Sequence, residues 1–255
     1  MSKKIALVTG ASKGIGLAIC RQLLQENWEV VGISRKFSQI ESEFFTPYPL
    51  DLEDLKNLPK ELKILKEKYP VPDAIVCSAG KGHFGSLEEL SFATLKSVMD
   101  LNFLSHVYLL KTFIPSMKQR ERGDVILIGS EAALQGKRMG SIYCASKFAL
   151  RGFAQALREE CATSDIRISL INPGMVRTGF FDSLSFAPGE EPSESILPED
   201  VADAVSLVVN TRQGTVFDEI NLSPQRKRIQ FKAPQRFHVS KPEKQDLQDS
   251  FQIER

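Results

Sequence analysis

The chain has 255 residues, 42% hydrophobic and 25% charged, an ordinary composition for a folded soluble protein. A formal charge of +1 gives no general attraction to nucleic acid or to an anionic membrane. No apolar run approaches the roughly 20 residues of a membrane span, and the length suits one large α/β domain that needs no disulfide or metal staple.

Residues 4–9 read as a buried strand, and 14–26 as a helix with Ile15, Ala18, Ile19 and Leu23 on its apolar face. A second strand covers 29–34. Residues 45–50 are expected as an outer strand, because Pro47 and Pro49 cannot donate to a ladder. Leu52, Leu55, Leu58, Leu62 and Leu65 recur at helical spacing and predict a helix over 51–69, with Pro59 marking a start or break inside it. Residues 73–78 form a central strand. Ser86 and Glu89 have the spacing of a capping box that opens a short helix. A long helix over 95–119 carries Pro115 in its last turns, and 124–129 is the next strand. Helix 142–162 precedes strand 167–172, which ends at Pro173-Gly174. Pro198 starts a last helix that continues through 201–209, and 215–222 closes the series as a strand. Strands that alternate with helices imply right-handed crossovers and a parallel sheet covered on both faces. One domain over 1–222 is expected. From about Ser223 the chain turns polar, with a basic cluster at Arg226-Lys227-Arg228, and a solvated tail over 223–255 is favoured over a nucleic-acid arm.

Cys20, Cys77, Cys144 and Cys161 lie in apolar segments without a C-x-x-C pair and read as core thiols. His106 and His238 have no Cys or carboxylate partner at ligand spacing, so no metal is expected. The first strand begins too early and too short for a secretory leader, which makes the cytoplasm the expected location.

Chemistry concentrates in four places. Thr9-Gly10-Ala11-Ser12-Lys13-Gly14-Ile15-Gly16 joins the first strand to the first helix. Glycines there allow a tight turn and close approach of the backbone to a pyrophosphate, at a helix end that offers free N–H groups. The second strand ends at Ser34-Arg35, where an acidic residue would accept the ribose 2′-OH of NAD. Arg35, joined by Lys13 from the glycine loop, suits a 2′-phosphate instead, so NADP(H) is the expected cofactor. Asp51 and Leu52 follow the third strand at the expected adenine end, where Asp51 would equally serve as a helix cap. Tyr143 and Lys147 lie four apart on one helix face, and a neighbouring ammonium is expected to lower the phenol from its usual value of about 10. Such a Tyr would exchange a proton with a substrate oxygen near neutral pH.

With Ala79-Gly80, Asn102, Ser130 and Pro173-Gly174 added in order, the chain from about Lys3 to Leu222 resembles the short-chain dehydrogenase/reductase family. It looks most like the carbonyl, 3-hydroxy acid and serine dehydrogenase reductases. The resemblance implies a doubly wound Rossmann-type sheet of order 3-2-1-4-5-6-7. It implies Tyr143 as general acid or base, Lys147 as its electrostatic partner and ribose ligand, and Ser130 as donor to the substrate oxygen. Asn102 would hold a relay water. Ala79, Gly80, Val176 and Thr178 would join the cofactor contacts, Val176 at the carboxamide. A homodimer or homotetramer through the helices 95–119 and 142–162 is implied as well. The family usually has Asn where Ser78 stands, a residue that braces the central strands. Residues between Thr178 and Pro198 correspond to a lid, with Phe180, Phe181, Leu184 and Phe186 as an apolar stripe and Gly179 and Gly189 as hinges. They suit an apolar or aromatic carbonyl substrate, and equally the packing of the lid on its own domain. The rival reading is a non-catalytic NADP(H)-binding sensor or scaffold, which would tolerate loss of Ser130, Tyr143 and Lys147.

Overall fold

A computed structural model describes residues 3–37 and 40–232. His238 and the rest of 233–255 lie outside the described residues. The chain runs β1 (Ile5–Thr9), α1 (Gly14–Gln25), β2 (Glu29–Ser34), β3 (Phe45–Pro49), α2 (Leu58–Lys68) and β4 (Ala74–Cys77). Then come α3 (Phe92–Met99), a π-helical turn (Asp100–Leu104), α4 (Ser105–Arg120), β5 (Gly123–Ile128) and α5 (Ser141–Cys161). The series closes with β6 (Ile166–Pro173), β7 (Phe186–Pro188), α6 (Pro198–Asn210), β8 (Glu219–Leu222) and β9 (Ile229–Phe231).

Seven strands form one parallel sheet of order β3-β2-β1-β4-β5-β6-β8. This is the expected order. The closing strand is eighth in the chain only because a short strand, β7, forms in the lid and pairs antiparallel with β9.

Successive side chains of a strand point to opposite faces, and here both faces are dry. Leu7, Ile75, Val125 and Leu127 join one core with Leu62 of α2, Phe113 of α4 and Leu150 of α5. Ala6, Val8, Val76 and Ile126 join the other with Ile19 and Leu23 of α1 and Val205 of α6. Strands covered twice read as unbroken apolar runs, which is why period 2 is missing from the sequence. The four cysteines are buried and free.

Two local expectations are corrected. The α2 helix starts at Leu58 with Pro59 in its first turn, so Asp51 does not cap it; Asp51 instead accepts from Glu53 N at 3.0 Å. Ser86 makes no side-chain cap, and only one 3-10 turn, Leu87–Glu89, follows it. The true cap is Ser91, whose hydroxyl accepts from Thr94 N at 3.1 Å and opens α3. Within the polar segment after Ser223, residues 229–231 form β9, which is largely exposed.

At the opposite edge from the crevice, Arg167 and Asp124 pair across β6 and β5 at 2.5 and 2.9 Å, both almost fully buried. Arg167 also donates to Thr211 O at 2.7 Å and so ties α6 to the sheet. Removing one partner leaves a buried charge alone, so Arg167→Ala is expected to cost about 3 kcal/mol in chemical denaturation. A loss below about 1 kcal/mol would show that the clip is dispensable.

Candidate active site

The carboxyl ends of β1, β4, β5 and β6 meet at one edge of the sheet, and the loops that leave them build the site. Gly10 has φ 71° and Gly14 φ 55°, a left-handed backbone that suits glycine. A Cβ on Gly10 would lie 3.0 Å from the Ala79 backbone, and one on Gly16 would collide with the Gly10 carbonyl oxygen. The loop is therefore a cradle that side chains would fill, with Ser12 and Lys13 on its rim and Ile15 in the first turn of α1. Lys13 stands at the N-cap without a side-chain cap bond, so the first turn keeps its own N–H groups open. These features fit a dinucleotide phosphate.

Thr9 joins this loop to the next one. Its hydroxyl accepts from Ser78 N at 2.9 Å and Ala79 N at 3.0 Å. The brace between β1 and the loop after β4 thus comes from Thr9 to backbone donors. The Ser78 side chain takes no part in this brace.

Asn102 is fully buried in the π-helical turn. Its Oδ1 accepts from Lys81 N at 2.8 Å, and its Nδ2 donates to Lys81 O at 2.9 Å and to Ser146 Oγ at 3.1 Å. Ser146 in turn donates to Tyr143 O at 2.7 Å. A π turn inserts one residue and re-aims a side chain, and such turns gather at functional sites. Here the turn directs Asn102 at the loop that carries Ala79 and Gly80.

Four residues on, His106 is buried with Nε2 2.9 Å from Ala79 O, and its Nδ1 has no partner. Burial and the charge of Lys147 push the imidazole down to about 4, against the hydrogen bond to Ala79, so it is neutral at physiological pH. Sequence reasoning weighed His106 only as a metal ligand. Its place one helical turn after Asn102 was the available signal. Among the described residues, no cluster of His, Cys, Asp and Glu could hold a metal ion.

Ser130 follows β5. Its N–H donates to Asn172 Oδ1 at 3.3 Å, and its hydroxyl accepts from Ala132 N at 3.1 Å. Asn172 is held by Asn221 of β8 at 3.0 Å, a support that the sequence reading missed. Tyr143 is buried on α5, close enough to Ser130 for that hydroxyl to favour the phenolate. Lys147 donates to Ile128 O at 3.0 Å and lies 6.0 Å from the centre of the Tyr143 ring. A Cβ on Gly80 would be 3.8 Å from its ammonium. The structure thus brings Ser130, Tyr143, Lys147, Asn102 and Gly80 to one place.

It reverses the expected pKa. Burial pushes the Tyr143 phenol up to about 12, against the influence of Ser130 and with help from Cys144 and Glu131. Burial also lowers Lys147 to about 8. Desolvation outweighs the lysine because the ammonium is turned toward Ile128 O rather than onto the phenol.

The remaining candidates are placed as follows. Gly174 N donates to Leu222 O at 2.8 Å, and Val176 bridges to Ile196 beyond Pro173-Gly174. Thr178 accepts from Phe180 N at 3.2 Å and packs toward Gly14, so it caps the lid against the glycine loop. Leu52 is buried beside the third strand, while Ser34 and Arg35 end the second. Glu53 lies near Arg35, but its carboxylate is tied to Lys81 and Ser97, which hold it low despite partial burial.

Above Tyr143 stands an aromatic wall. Phe84 is 5.2 Å from its ring and 4.9 Å from Phe186, and Phe180 is 5.8 Å from Tyr143. Phe181 contacts both Phe180 and Phe186. Phe84 was absent from the sequence reading, since nothing in its local pattern marks it.

The short chain dehydrogenase family model matches residues 4–187. Human retinol dehydrogenase 8 is 33% identical over 208 residues, covering 74% of this chain and 66% of that protein. Human 17-beta-hydroxysteroid dehydrogenase type 1 is 30% identical over 205 residues, covering 74% of this chain and 62% of that protein. The chain thus spans about two thirds of the length of these curated relatives. An alcohol dehydrogenase from the archaeon Thermococcus sibiricus, solved in complex with 5-hydroxy-NADP, superposes with a TM-score of 0.79. It is 26% identical, and the match covers 89% of this chain and 99% of that one.

Proposed function

This chain belongs to the short chain dehydrogenase family of oxidoreductases, and we propose that it transfers hydride between NADP(H) and a carbonyl or secondary alcohol, mainly in the reducing direction. The observation that carries the reading is the buried Tyr143 between Ser130 and Lys147, with Gly80 and Asn102 against the lysine. NADPH, when bound, supplies the hydride. Gly10, Ser12, Gly14, Ile15 and Gly16 would hold its pyrophosphate, Arg35 with Lys13 and Ser34 the 2′-phosphate, and Asp51 with Leu52 the adenine. Ala79, Gly80, Asn102, Tyr143, Lys147, Pro173, Gly174, Val176 and Thr178 receive the ribose and nicotinamide end.

A phenol raised to about 12 is protonated throughout the neutral range, which suits a general acid. Ser130 orients the carbonyl oxygen, and Tyr143 hands it the proton. The resulting phenolate is then a stronger base than the lysine at about 8, so reloading from the Lys147 side runs downhill. Asn102 and His106 keep the Ala79–Lys81 backbone in place while this happens.

The aromatic wall supports an apolar, ring-bearing carbonyl as substrate, in line with the retinol and hydroxysteroid named for the relatives. A homodimer or homotetramer through α4 and α5 belongs to the same proposal, and Phe148 on α5 is 43% exposed. No helix among the described residues is long and apolar enough to cross a membrane.

Tyr143→Phe removes the acid and is expected to lower turnover about a thousandfold while NADPH still binds; wild-type turnover in that variant would sink the assignment. The lysine must be charged, so kcat/KM for reduction should be full below pH 8 and fall as pH rises through about 8. A profile flat to about pH 10 would contradict this role for Lys147. Arg35→Asp should weaken NADPH by about tenfold or more and spare NADH, judged by fluorescence titration of both. An unchanged preference would place the clamp elsewhere.

A further inference from the structure

The basic segment that sequence alone leaves as a solvated face is tied at five points to the lid and to the loop after Ser130. Arg226 N donates to Ser193 O at 2.8 Å. Lys227 Nζ pairs at 3.0 Å with Glu131, the residue next to Ser130. Arg228 pairs at 3.3 Å with Glu194, whose carboxylate is buried, and Arg228 O accepts from Gly189 N at 3.1 Å. Strand β9 then aligns Phe231 with Phe186, Gln230 with Ala187 and Ile229 with Pro188. Lys232 N donates to Ser185 O at 2.8 Å, and its ammonium reaches Phe181 O at 2.5 Å and Asp182 O at 3.3 Å.

The outer face of this segment is exposed, so it adds little core. Its inner contacts fall on the backbone that carries Phe181 and Phe186. Phe186 packs on Phe84, and Phe84 packs on Tyr143. Three layers result, with strap, aromatic wall and catalytic phenol in that order. A ladder of two three-residue strands is marginal alone. The wall therefore depends on the side-chain ties, above all on Arg228 at a buried carboxylate and on Lys232 at the carbonyls of Phe181 and Asp182.

We propose that residues 226–232 are a positioning strap that fixes Phe181 and Phe186 over Tyr143 and thereby sets selectivity for bulky, ring-bearing apolar carbonyl compounds over short aliphatic ones. The selectivity half rests on the hydride-transfer reading above. The mechanical half does not.

The test uses the full chain carrying Arg228→Ala and Lys232→Ala together, with NADPH bound. The KM for a polycyclic ketone should rise about tenfold, while kcat and the KM for a short aliphatic aldehyde move less than about twofold. Lys232→Arg keeps the cation and should restore the KM. Hydrogen exchange of the lid amides over 181–189 should quicken in the double variant. If that variant fails to fold, Lys227→Ala, which cuts only the tie to Glu131, should show the same KM split in smaller measure. Equal rises for both substrates, an unchanged KM for the ketone, or unchanged lid exchange would overturn the proposal. If the unsubstituted chain reduces no carbonyl compound with NADPH, the reading of function and the selectivity half fail together, and lid exchange alone decides the strap.

Discussion

One buried amide sets the frame of the site. Asn102 spends both of its polar atoms on Lys81 and Ser146, and so joins the helix that carries it to the loop after β4 and to α5. These three pieces of chain are remote in sequence. Each such bond is worth only about 1 kcal/mol net, but leaving the amide unpaired in this dry position would cost more. Its value lies in register. When Asn102 is in place, Gly80 faces Lys147, and Tyr143 meets Ser130 at the end of β5. The π-helical turn is the local cost of that aim. Thr9 and His106 hold the same loop from two further sides through backbone groups.

Electrostatics at the site follows from dryness more than from neighbours. A lysine four residues from a tyrosine suggests a softened phenol. In the folded chain both groups are buried, and each is pushed toward its neutral form. The tyrosine becomes a firm proton holder and the lysine a ready proton giver. For carbonyl reduction this is the useful ordering, because the acid is loaded before the substrate arrives. His106 completes the pattern, since a second buried cation beside Lys147 would be costly, and its imidazole stays neutral.

Much of this was legible in the sequence. Strands buried on both faces announce themselves as apolar runs, and glycines at 10, 14 and 16 mark a loop whose backbone must be bare. The spacing of Ser130, Tyr143 and Lys147 survives intact because β5 and α5 are regular elements. Other features left no readable trace. A π turn adds one residue without breaking the apolar spacing, so α3 and α4 read as one helix. Strand β7 is three residues long, too short for any period, and its partner lies some forty residues later. The sign of the tyrosine shift depends on where the lysine ammonium turns, and spacing does not encode that. Ser86 and Glu89 had the right letters for a cap, yet the chain needed only one tight turn before Ser91.

The order in which the layers are written along the chain has a consequence for biosynthesis. All seven strands of the main sheet are complete by Leu222, before the segment that ties down the aromatic wall. Domains gain structure as they leave the ribosome, N-terminal parts first. A nascent chain can therefore complete its main sheet while the aromatic wall beside Tyr143 is still untied. Residues 226–232 follow that sheet in the chain and then tie down the wall around Phe181 and Phe186.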